Sequence, residues 1–126
     1  MSEVREMRSK LAVSLALAYK DYEVYHDVTL GKFNTNIDIK AEKFTNGYYD
    51  TFYVIIETVE YTSKLYEEAN RKLAMLSRAL KRPVYLAVVL GDGNEMILDP
   101  KLRSRMSLPE STKVKYFISP DNDYTT

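Results

Sequence analysis

The 126-residue chain has no cysteine, no tryptophan and a single histidine, and its 18 basic residues are balanced by 18 acidic ones. The absence of cysteine excludes disulfides, zinc ribbons and thiol catalysis, and favours an intracellular, cytoplasmic protein over a secreted one. With one histidine and no thiol, the ligands of a transition-metal centre are also lacking. A net charge of zero argues against a protein that grips nucleic acid over a broad basic surface, so any polyanion site must be local. No stretch approaches about 18 uncharged apolar residues, and the opening MSEVREMRSK is charged rather than signal-like, so a soluble protein with no membrane partner is expected. Gly91-Asp92-Gly93 lacks the lysine and the spacing of a phosphate loop and reads as a hairpin turn, and no G-x-S-x-G nucleophile elbow occurs.

What the chain does contain is the material for one layered domain. Residues 1–118 are expected to form it, with 119–126 as a flexible tail. From Glu3 to Tyr22 the apolar residues Val4, Met7, Leu11, Leu15, Ala18 and Tyr22 recur at steps of three and four, which predicts a helix with one buried stripe. Glu23 to Leu30 alternates and predicts a strand, with His26 packed between Val24 and Val28. Ser63 to Leu80 returns to helical spacing through Leu65, Ala69, Leu73, Leu76 and Leu80, and Pro83 ends that helix. VYLAVVL is a continuous apolar run, predicting a central strand covered on both faces. EMIL is expected as a short edge strand, a helical turn around Leu102 to Met106, and Lys113 to Ile118 as the last strand. The eleven tyrosines suit half-buried sheet positions and can also offer stacking surfaces for bases.

The segment from Ile37 to Tyr61 carries the chemistry. Asn46-Gly47 predicts a type I′ hairpin turn, because both residues tolerate positive φ. A turn that tight sets Thr45 opposite Tyr48 and Asp38 opposite Ile55, with Glu57 the diagonal neighbour of Asp38. One face then collects Ile37, Ile39, Ala41, Phe52, Val54 and Ile56, and the other Asp38, Lys40, Glu42, Tyr53, Ile55, Glu57 and Val59. The second face is too apolar for open solvent and too charged for a core, and it suits the floor of a cleft. Asp38 and Glu57 can converge on a divalent cation, or the acids of this face can be solvated carboxylates on a half-exposed sheet.

An acid in the second strand, an acid near the end of the third and a helix directly after it resemble the PD-(D/E)xK nuclease superfamily, which includes restriction endonucleases and archaeal Holliday-junction resolvases. The resemblance spans about Glu3 to Leu90. It implies an α/β restriction-endonuclease-like core, a mixed central sheet flanked by helices in the order α-β-β-β-α-β, followed here by a short C-terminal β extension. It implies metal-binding roles for Asp38, in Asn36-Ile37-Asp38-Ile39, and for Glu57, in Ile55-Ile56-Glu57-Thr58-Val59, with Glu6 or Glu3 of the first helix as a third carboxylate. Val59 stands where the family has its lysine, so Lys40, Lys64 or Lys72 must assist the attacking water, or the chemistry is lost. In a rival alignment Asp38-Ile39-Lys40 is itself the acid-x-Lys and Asp27 the first ligand, but an extra strand then separates the motif from the helix. The implied activity is Mg²⁺- or Mn²⁺-dependent hydrolysis of DNA phosphodiesters, by a possible homodimer. The alternative is an inactive relative that binds nucleic acid or a protein partner.

Overall fold

A computed structural model describes residues 2–119, and of the tail expected over 119–126, residues 120–126 lie outside the described residues. Six strands form one mixed open sheet in chain order, β1 (Glu23–Leu30), β2 (Thr35–Thr45), β3 (Tyr48–Glu57), β4 (Val84–Leu90), β5 (Glu95–Leu98) and β6 (Lys113–Tyr116). The first three make an antiparallel meander, β4 runs parallel to β3, β5 is antiparallel to β4, and β6 is parallel to β5. The helix α1 (Ser2–Ala18) covers one face with the short α3 (Pro100–Arg103), and α2 (Ser63–Leu80) covers the other as the crossover between β3 and β4.

The hairpin turn sits at Asn46-Gly47, where both residues have positive φ, 53° and 89°, and the ladder holds the expected register from Thr45↔Tyr48 to Ile39↔Val54. A Cβ at Gly47 would meet nothing within 4 Å, so the only cost of Gly47→Ala is backbone strain in the left-handed region. That substitution is expected to lower stability by about 1 kcal/mol, read as a shift of the urea midpoint with unchanged slope.

Two cores follow from the layering. Between the sheet and α1 lie Val13, Ala16, Leu17, Ile39, Ala41, Phe52, Val54, Tyr85, Ala87 and Val89, while Tyr53, Leu73, Leu76, Leu86 and Val88 pack beneath α2. β4 is buried through Val89, as its unbroken apolar run requires. α2 starts at Thr62, whose side chain accepts the Leu65 N–H, and stops at Lys81, which turns left-handed at φ 57° ahead of Pro83. Arg105 binds the C-terminal segment to the meander. Its Nε donates to Asp50 at 3.3 Å, its Nη1 to the Tyr85 hydroxyl at 3.2 Å, and its guanidinium lies 5.1 Å from the centre of the Phe52 ring. The Tyr22 hydroxyl donates to the same Asp50 carboxylate at 2.6 Å.

Four expectations are corrected. The stripe expected to bury α1 faces solvent instead. Val4, Met7, Leu11 and Leu15 are exposed, and the smaller set Ser9, Val13, Ala16 and Leu17 enters the core. Both faces of this helix carry apolar residues, and the one that includes the small Ser9 and Ala16 packs on the sheet. Ile37 does not share a face with Ile39: it joins the α2 core, as do Val28 and Leu30 of β1, whereas Val24 packs on the α1 side. The side chains change faces at Asp27, whose φ is 54°, and at Asp38 opposite it, between the pairs His26↔Ile39 and Val28↔Ile37. His26, expected to be packed, is exposed, with Nε2 2.7 Å from the Ser14 hydroxyl of α1. β5 is an inner strand rather than an edge, because β6 pairs beyond it.

Candidate functional site

The change of faces at Asp27 and Asp38 opens a notch where the regular ladder between β2 and β3 ends. Instead of continuing that ladder, the Asp38 side chain accepts the backbone N–H of Ile56 through Oδ2 at 2.8 Å. This fixes the carboxylate beside the C-terminal end of β3, and Oδ1 is left 3.9 Å from the Lys10 ammonium. Lys10 also bonds the Asp27 carboxylate, which holds the Asp27 acid below its usual range. One α1 lysine therefore sits between two aspartates from neighbouring strands.

A cavity of about 310 Å³ occupies this notch, lined by Glu6 and Lys10 from α1, Asn36 and Asp38 from β2, Ile55, Ile56, Glu57 and Thr58 at the end of β3, and Lys72 from α2. All three carboxylates expected as metal ligands, Asp38, Glu57 and Glu6, line this one cavity. Glu57 arrives there because it is the last residue of β3, paired with Val88 at the point where the parallel β3–β4 ladder ends. Its outer neighbour Tyr61 is partly buried, and that burial, with the negative charge of Glu57 nearby, pushes the tyrosine up to about 12.

The lysines distribute differently from the simplest expectation. Lys40 is not among the cavity-lining residues. Its ammonium lies 3.3 Å from Glu42 and over the Tyr25 ring. Lys72 does reach the cavity, while Val59, which the resemblance sets where a lysine is expected, is exposed and does not line it. Lys10 was missed by sequence reasoning, although it stands one helical turn after Glu6 and so shares its face.

Three carboxylates and two ammonium groups leave the cavity with one negative charge in excess. Among the described residues, no three acidic or histidine side chains stand close enough to grip a metal as a ready-made cage. The donor chemistry nevertheless fits a hard cation, because Mg²⁺ is commonly held by one or two carboxylates together with substrate phosphate and water rather than by protein alone. Asp38 and Glu57 are the pair that would hold it, with Glu6 on the α1 wall.

Raising the Tyr61 pKa from 10.0 to about 12 means that folding favours the protonated phenol, so its contribution to stability is complete below pH 10 and lost as the pH rises through 12. Thermal midpoints measured from pH 9 to pH 12 should fall less steeply in Tyr61→Phe than in the wild type. Tyr22, also pushed up to about 12, keeps part of the slope. No protein-family model matches this sequence, and no curated protein does.

Proposed function

We propose that the chain is a metal-dependent deoxyribonuclease of the PD-(D/E)xK kind, with its site in the cavity between α1, α2 and the end of β3. The observation that carries this reading is the meeting of Asp38, Glu57 and Glu6, from three separate elements, around one cavity that also receives two lysines. The element order supports it too: a helix, an antiparallel three-stranded meander, a crossover helix and a parallel fourth strand correspond to the restriction-endonuclease-like core that the resemblance implies.

A Mg²⁺ or Mn²⁺ ion held by Asp38 and Glu57 would supply Lewis acidity at the phosphoryl oxygens of the scissile phosphate. The chain's own residues supply the rest. Lys72, approaching from α2, takes the role for which Val59 is unsuited and orients the attacking water. Lys10 neutralises charge on the phosphate from the α1 side, in the manner of backbone-contacting groups in other DNA enzymes. The Ile56 N–H keeps the Asp38 carboxylate in place as the substrate enters. Supercoiled plasmid incubated with the purified protein tests this reading. Nicking with Mg²⁺ or Mn²⁺ and none with EDTA is expected, and intact plasmid under every metal condition counts against it.

The exposed face of α1 supports a homodimer. Met7, Leu11, Leu15 and Tyr19 follow one another at steps of four on that face. A twofold axis at Leu11 would set Met7 of one copy against Leu15 of the other, so the stripe complements itself. Light scattering should give twice the chain mass for the wild type and the single mass for Leu11→Glu. A wild-type monomer at all concentrations removes the dimer and leaves the proposed site untouched.

A further inference from the structure

A second cavity, of about 240 Å³, lies beside the first under α2. The two share Ile55, Glu57 and Lys72. Beyond those shared residues the lining changes character, to Tyr61, Leu65, Ala69, Leu73 and Leu86, with Glu68 as the only further charge. The charged notch thus adjoins an apolar recess whose lining includes one aromatic residue. Tyr61 is held in place by the Tyr66 ring, 5.4 Å away between centroids, which in turn packs 5.0 Å from Phe117.

We infer that this recess is a base-binding subsite: it takes one unstacked nucleobase of the strand whose phosphate lies beside Lys10 and Lys72. The inference rests on the nuclease reading for the identity of the neighbouring site, and it names the substrate class as single-stranded, frayed or branched DNA in which a base is free to leave its stack. Three features favour this occupant. The recess falls below the roughly 300–1,000 Å³ of a pocket for a drug-sized ligand, so it suits one ring system and not a longer apolar segment. Its tyrosine offers a π-face, which is the common device for sequence-tolerant contact with single strands. Lys72 stands on the boundary between the two cavities, where a group that is apolar at one end and anionic at the other places its phosphate.

Equilibrium binding in EDTA tests the subsite without requiring cleavage. Fluorescence anisotropy would compare an oligothymidylate with an oligomer of equal length made of abasic residues, at one fixed salt concentration. The wild-type protein should bind the base-bearing strand about tenfold more tightly, the effect of one stacked base. Ala69→Phe, which fills the recess from α2, should bring the two affinities within about twofold of each other and retain the salt dependence that phosphate contacts produce. Equal affinity of the wild type for the two strands, or no measurable binding of either, overturns the subsite. Because that comparison uses the unmodified protein, it does not depend on how well the variant folds. A base-dependent affinity in a protein that cuts no DNA would keep the subsite and remove the nuclease.

Discussion

Phe52→Ala is expected to lower the free energy of unfolding by about 3–5 kcal/mol, the usual range for deleting a fully buried aromatic ring. Against a total of about 5–15 kcal/mol for a domain, that is a large share of the stability. Phe52 has no solvent exposure and is the largest of the fully buried side chains among the described residues. It is also where three separate parts of the chain meet. The Tyr22 ring, after α1, packs edge-on at 5.2 Å. The Tyr85 ring, on β4, packs at 5.7 Å, and the Arg105 guanidinium covers the ring at 5.1 Å. Removing the ring leaves a void and also takes away the surface against which Arg105 is held while it bonds Asp50 and Tyr85. Phe52→Leu, which leaves a smaller void, should cost roughly half as much. Urea unfolding followed by circular dichroism measures both variants. A loss below about 1 kcal/mol for Phe52→Ala would mean that the meander is not anchored at this point.

Asp38→Asn and Glu57→Gln should each reduce plasmid nicking more than about 100-fold, since even residues that only support a metal ligand commonly account for 10–100-fold. These amide variants remove negative charge without removing a hydrogen-bond acceptor. Asparagine at 38 can still accept the Ile56 N–H, and glutamine at 57 keeps the shape and a carbonyl acceptor of the glutamate it replaces. Their unfolding midpoints should therefore stay close to wild type while activity disappears. Asp38→Ala differs in that it also leaves the Ile56 N–H without its partner, a loss of about 1–3 kcal/mol where that group is buried. Loss of activity without loss of stability in the amide pair separates a chemical role from a structural one. Variants that nick as fast as the wild type would take both residues out of the reaction.

The hairpin was legible because its cause is local. An asparagine-glycine step admits few turns, and a two-residue turn fixes every pair from Thr45↔Tyr48 to Ile39↔Val54. The strand β4 and the helix α2 were legible for a similar reason, in that one apolar run or one stripe has a single sensible place to go. The orientation of α1 was not, because Leu11 and Leu15 on one side compete with Val13, Ala16 and Leu17 on the other. The choice is made against the sheet the helix covers, which the helix sequence alone does not encode. The break at Asp27 and Asp38 was hidden by a pattern that alternates without interruption through both residues. A left-handed residue inside a strand is detectable only once its partner strand is in place. That break creates the notch, so the acids could be named from sequence while the reason they share a cavity could not. The lysines follow the same division. Lys72 was among the candidates because it lies on a helix close to the motif, whereas Lys40, chosen for its place on the same sheet face as Asp38, is drawn to Glu42 and Tyr25.

Anomalous diffraction from crystals of the protein soaked in Mn²⁺ probes the site itself rather than its consequences. A single strong peak within coordinating distance of both the Asp38 and Glu57 carboxylates, absent from crystals of Asp38→Asn, is the expected result. Manganese bound elsewhere on the surface, with none at these two acids in the wild type, would contradict it.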